Sequence, residues 1–152
     1  MELLTEITKY SVHLSQEPNG NYVLQKVLAL EDPVITKDIC NKMKDLVAQL
    51  STQKHSSYVI EMCLQSTWME IVVLALLKLN PKQVSLLAQD QFGNYVLQKA
   101  LTLTKYNRND LYQRLVTLLM QEKLILSLQH HPNGRNVYNL LDEGMLLSKN
   151  VI

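Results

Sequence analysis

Gly20-Asn21-Tyr22-Val23-Leu24-Gln25-Lys26 recurs letter for letter as Gly93-Asn94-Tyr95-Val96-Leu97-Gln98-Lys99. Chance does not readily place an identity of seven residues in a chain of 152. Between the two copies, His55-Ser56-Ser57-Tyr58-Val59-Ile60-Glu61 keeps the same shape: small, polar, Tyr, two branched apolar residues, then an acid in place of the amide. Gly134-Arg135-Asn136-Val137-Tyr138-Asn139 is a fourth, looser copy. The copies, phased on the residue after the Gly or Ser, start at Asn21, Ser57, Asn94 and Arg135, in steps of 36, 37 and 41 residues. A period of this size is the sequence mark of a solenoid.

Three of the four glycines (Gly20, Gly93, Gly134) stand at one phase, directly before the repeated segment. That placement predicts a turn or helix start that needs a small residue. The segment itself reads as helix: Val23, Leu24 and Val27 share one side, and Asn21, Tyr22 and Gln25, at i, i+1 and i+4, share another. The same triplet is Ser57, Tyr58, Glu61 in the second copy and Asn94, Tyr95, Gln98 in the third. Residues 34–50, 68–79 and 107–120 carry apolar residues at helical spacing, and shorter apolar stretches at 46–53, 82–89 and 123–130 precede the repeated helices. Pro33 suits a first helical turn, and Asn80-Pro81 a break between units. Each unit therefore reads as a short helix, a turn, a repeated helix and a back helix. No stretch sustains strand alternation, so the expected fold class is all-α.

Identical phase lines up the exposed triplets of stacked units along one face. Stacking accounts for the recurrence of the apolar residues; it does not account for a tyrosine recurring on the exposed side between two polar side chains. One aromatic per repeat with flanking hydrogen-bonding groups suits unstacked single-stranded bases, where each stack is worth roughly 1–3 kcal/mol. The amides of Asn21 and Gln25 offer donors and acceptors that match uracil. Glu61 offers acceptors only, and guanine alone presents two adjacent donors on one edge.

The Asn-Tyr-x-x-Gln and Ser-x-x-x-Glu pentads, with the runs Leu14–Gly20 and Gln89–Gly93 leading into them, resemble the Pumilio (PUF) family of RNA-binding proteins over nearly the whole chain. The resemblance implies a right-handed α-solenoid of three-helix repeats. Residues 1–10 would be a lead-in or remnant, about 11–45, 46–81 and 82–122 the repeats, and about 123–152 a C-terminal capping half-repeat, all in one domain. It implies that Asn21, Gln25, Asn94 and Gln98 read uracil at the base edge, that Ser57 and Glu61 read guanine, and that Tyr22, Tyr58 and Tyr95 stack. Because the family binds RNA antiparallel to the protein chain, the implied site is 5′-U-G-U-3′ in messenger 3′ untranslated regions, with post-transcriptional regulation as the outcome. The order of units resembles the last three of the family's usual eight. The triplet Arg135, Asn136, Asn139 lacks the aromatic and is expected to belong to the cap.

The net charge of +1 gives little long-range attraction for phosphate. Lys26, Lys99 and Arg135 are the candidate phosphate contacts, ordinary solvated surface being the plain alternative for the lysines. The face at the N-terminal end of the stack, where Leu3, Leu4 and Ile7 stand as a makeshift cap, is a candidate surface for self-association or for a regulatory protein partner. Cys40 and Cys63 lack metal-ligand spacing and are expected as buried thiols of a reducing compartment. His130-His131, His13 and His55 are expected to be structural, and Trp68 to be packed. No catalytic constellation stands out, so neither an enzyme nor a cofactor nor a metal is expected. The longest apolar run, residues 71–77, is too short to span a bilayer, and a cytoplasmic location is expected. The competing function is an α-helical repeat scaffold for protein–protein contact whose RNA affinity is weak or lost.

Overall fold

Proline and short polar residues start two of the helices, the back helix of the first repeat and the short helix of the third. Asp32 Oδ1 accepts from the backbone N–H groups of Val34 and Ile35, each at 3.0 Å, and Pro33 fills the first helical position. Asn80 and Gln83 exchange side-chain-to-backbone bonds of 2.9 and 3.0 Å in a capping box ahead of Pro81. The computed structural model describes residues 2–149, and the side chains of all of them except 122 and 144–149. Twelve helices and no strand are present among the described residues, as the all-α reading expects.

They fall into two compact units, residues 1–78 and 79–152. The first holds α1 (Glu2–Lys9), then α2 (Ser11–Ser15), α3 (Gly20–Ala29) and α4 (Pro33–Lys44), then α5 (Val47–Ser51), α6 (Ser56–Gln65) and α7 (Met69–Leu77). Like packs on like within it: α3 against α6 and α4 against α7. Helix α1 lies against α4, the place that α4 itself takes against α7. On α1, Leu4 and Ile7 are half-buried, whereas Leu3 is 72% exposed. The second unit holds α8 (Pro81–Gln89), α9 (Gly93–Asn107) and α10 (Asn109–Leu119), followed by α11 (Glu122–Gln129) and α12 (Gly134–Lys149). There α8 packs on α11 and α9 on α12.

Two boundaries differ from the apolar pattern. The run 34–50 is two helices, because Leu46 (φ −116°, ψ 22°) leaves the helical region ahead of α5. Helix α9 runs on to Asn107, and Arg108 (φ −145°, ψ 79°) separates it from α10. The buried stripe of α3 is Leu24, Val27 and Leu28; Val23, expected among them, is 42% exposed. Its counterpart Val59, on the helix that has α3 beside it, is fully buried.

The glycines before the repeated helices answer a close approach. A Cβ on Gly20 would lie 2.5 Å from the Leu14 carbonyl oxygen, and one on Gly93 2.5 Å from that of Leu87. In the second repeat Ser56 stands there instead, and its hydroxyl donates to the Leu50 carbonyl at 2.6 Å. Trp68 is half-buried, as expected: its Nε1 donates to the Pro33 carbonyl at 2.9 Å, and Lys37 Nζ lies 4.9 Å above its ring, tying the start of α7 to the start of α4. Cys40 and Cys63 are fully buried, and free. The two thiols meet, and the hydrogen bond to Cys40 together with burial pushes the Cys63 thiol well up.

Candidate nucleic-acid interface

The three repeated tyrosines reach solvent: Tyr22 is 61% exposed on α3, Tyr58 50% on α6 and Tyr95 55% on α9. One turn further on, Gln25, Glu61 and Gln98 are half-buried. The first residue of each triplet is not on the surface. Asn21, Ser57 and Asn94 keep 1%, 2% and 0% of their area, so the expected polar-aromatic-polar surface is an aromatic and one flanking group standing on a buried base.

The cause is local. Asn21 Nδ2 turns back to donate to the carbonyls of Glu17 at 2.7 Å and Pro18 at 2.8 Å in the turn ahead of α3. Asn94 Nδ2 does the same to Asp90 at 2.7 Å and Gln91 at 3.2 Å. With its nitrogen held, each asparagine presents Oδ1 along the helix, and the glutamine one turn on donates Nε2 to it: Gln25 at 3.0 Å and Gln98 at 2.9 Å. That bond uses one of the two N–H groups of the glutamine amide. The other N–H and the Oε1 acceptor remain for a ligand. Ser57 Oγ in the second repeat donates to the Lys54 carbonyl at 3.3 Å. Glu61 there has a carboxylate in place of the amide and accepts only.

Lys26 is exposed one turn beyond Tyr22, Lys99 half-buried one turn beyond Tyr95, and Arg135 exposed at the start of α12. In the half-repeat, Asn136 occupies the place of the tyrosines. Its Nδ2 donates to Asn94 Oδ1 at 3.2 Å, while Asn133 Nδ2 donates to the Gln89 carbonyl at 3.1 Å. The turn into α9 is held by Asp90 Oδ2, which accepts from the N–H groups of Phe92 and Gly93, both at 2.8 Å. The corresponding turn into α12 is held by His131, whose Nδ1 accepts from Asn133 at 3.1 Å and Gly134 at 3.2 Å. Sequence reading did not find these supports. Their signal was available, because the residue three before each glycine or Ser56 is always a hydrogen-bonding one: Glu17, Gln53, Asp90 and His131. Among the described residues no cluster of His, Cys, Asp and Glu has the makings of a metal site, and no single helix is long and apolar enough to cross a membrane.

The family profile described as Pumilio-family RNA binding repeat matches residues 10–43, 47–66 and 83–104, half of the chain. Pumilio homolog 18 of Arabidopsis thaliana is 35% identical over 142 residues, which is 93% of this chain and 42% of that protein. Putative pumilio homolog 19 of the same organism is 34% identical over an equal extent. The chain thus spans less than half the length of these relatives. Among solved structures, the Puf4 RNA binding domain bound to the HO endonuclease RNA 3′ UTR recognition sequence superposes with a TM-score of 0.80 and 28% identity, over 90% of this chain and 44% of that one. A doubly substituted Puf4 bound to the Cox17 RNA 3′ UTR recognition sequence gives 0.82 and 28%, over 92% and 48%. The fold class is that of these proteins, an α-solenoid of three-helix repeats, here with a two-helix half-repeat after the third.

Proposed function

This chain belongs to the Pumilio family of RNA-binding repeat proteins, and from that membership we propose that it binds single-stranded RNA one base per repeat, at a 5′-U-G-U-3′ core in messenger 3′ untranslated regions. It carries out no chemistry; its effect is post-transcriptional and is exerted in the cytoplasm. The observation that carries this reading is an exposed tyrosine in each repeat with an amide or carboxylate one turn beyond it. A tyrosine face stacks any base, and the group beside it selects which one.

The hydrogen bonds support a division of labour within each pair. Gln25 and Gln98, with Nε2 on the asparagine behind them, offer an acceptor and one remaining donor side by side. That pair matches the N3–H of uracil and a carbonyl next to it. Asn21 and Asn94, assigned to the base edge by family resemblance, orient the glutamines from behind. Glu61 offers acceptors to the N1–H and N2–H of guanine, with Ser57 beside it. Read antiparallel, the 5′ uracil belongs to Tyr95 and Gln98, the guanine to Tyr58 and Glu61, and the 3′ uracil to Tyr22 and Gln25. Lys26, Lys99 and Arg135 supply phosphate contacts.

Recoding the middle repeat tests the assignment. The double variant Ser57→Asn, Glu61→Gln gives it the side chains of its neighbours. RNA containing U-U-U is then expected to displace RNA containing U-G-U as the preferred ligand by about tenfold or more, one good edge pairing being worth about 1.4 kcal/mol on the scale of affinity arithmetic. A variant that folds and keeps its preference for guanine overturns the assignment of Ser57 and Glu61.

A further inference from the structure

The heptapeptides of the first and third repeats are identical, yet their asparagines are not in the same state. Asn21 Oδ1 accepts one hydrogen bond, from Gln25. Asn94 Oδ1 accepts two, from Gln98 at 2.9 Å and from Asn136 at 3.2 Å, and its Nδ2 donates two more to the Asp90 and Gln91 carbonyls. A side-chain amide has two donor hydrogens and two acceptor lone pairs, so every hydrogen-bonding position of Asn94 is filled, and the residue is fully buried. The second bond to Oδ1 comes from α12, at the position where α3, α6 and α9 carry Tyr22, Tyr58 and Tyr95.

We propose that Asn136 is a positioning residue for the third base reader: from the capping half-repeat it takes the second lone pair of Asn94 Oδ1, fixes the amide relay Asn94–Gln98, and so sets which way Gln98 presents its amide to the base. This deepens the RNA-binding function proposed above and rests on it. The relay has one sense. The Asp90 and Gln91 carbonyls hold Nδ2, so Oδ1 must face the helix axis direction of Gln98. Asn136 adds a donor on the same oxygen, which makes a turned-over Asn94 amide meet it donor to donor. Gln98 therefore keeps Nε2 inward and Oε1 outward. Where Oε1 meets the N3–H of uracil and the remaining N–H of Gln98 meets the carbonyl beside it, cytosine presents N3 as an acceptor to Oε1, so this register favours uracil. The half-repeat has in this way given up an aromatic and gained a support for its neighbour.

The test has two arms, each on the whole chain, with Asn136→Ala and the near-isosteric Asn136→Asp, which sets an acceptor against Asn94 Oδ1. In the free protein, hydrogen exchange of the Asn94 and Gln98 side-chain amides is followed by nuclear magnetic resonance. Loss of one hydrogen bond is expected to speed it about threefold to tenfold in Asn136→Ala, with Asn21 and Gln25 unchanged as the internal control. In binding, discrimination between uracil and cytosine is expected to fall by the same factor at the 5′ base, facing Gln98, and not at the 3′ base, facing Gln25. Unchanged amide exchange overturns the proposal, as does an equal loss of discrimination at both bases, which would mark Asn136 as a merely structural residue. A wild-type chain that binds no RNA overturns the proposed function instead, and the amide arm then decides the positioning role by itself.

Discussion

Tyr22, Tyr58 and Tyr95 expose half or more of their surface, while the residue before each is sealed to 2% or less. The two kinds of position should fail differently. Tyr58→Ala removes a stacking face from a solvated site, so RNA affinity is expected to fall roughly fivefold to a hundredfold, matching 1–3 kcal/mol per stacked base. The thermal midpoint should stay where it is, and an affinity within twofold of wild type would remove Tyr58 from the interface. Asn94→Ala does the reverse: it strips donors from the Asp90 and Gln91 carbonyls and the acceptor from Gln98 and Asn136. Denaturant titration is expected to show a loss of about 1–3 kcal/mol in stability before any RNA is added. An unmoved midpoint would return Asn94 to the surface. The tyrosines and their partners were legible in the sequence because an exposed aromatic at a fixed phase has no packing explanation. The burial of the asparagines was not, because side-chain periodicity does not register the backbone carbonyls of the preceding turn.

Helices were legible where apolar spacing is dense, and their ends where Asp32-Pro33 and Asn80-Pro81 announce them. The break at Asp45-Leu46 was not, because a single Asp inside a run of apolar residues at helical spacing does not by itself mark a helix end. Nor was the meeting of Cys40 and Cys63, which belong to different helices. The glycine phase has a sharper content than a generic turn. In the first and third repeats the short helix presents a carbonyl oxygen, of Leu14 or Leu87, where a Cβ would stand, whereas in the second Ser56 bonds the matching oxygen of Leu50. Gly93→Ala is therefore expected to push α9 away from α8 and cost about 1–3 kcal/mol by overpacking. Urea unfolding measures it, and a change below about 0.5 kcal/mol would mean the approach is looser than the geometry requires.

At the scale of the whole chain, 15 basic and 14 acidic side chains nearly cancel, so attraction for RNA depends on the few cations near the readers. Single-stranded nucleic acid releases counterions with a slope of about −0.7 per phosphate neutralised. Lys26, Lys99 and Arg135 together then give a log affinity against log salt slope no steeper than about −2. A much steeper slope would place the binding surface on other lysines, and a flat one would point to contact without phosphate, as the scaffold function requires. With three bases held, affinity should be about micromolar or weaker. Whether the middle repeat reads guanine is decided by fluorescence anisotropy of this chain with a short labelled RNA carrying U-G-U, beside the same RNA carrying U-A-U. Binding is expected to fall about tenfold, or roughly 1.4 kcal/mol, on that single change of base; equal affinity for the two RNAs, or no binding to either up to high micromolar concentration, would overturn the U-G-U assignment.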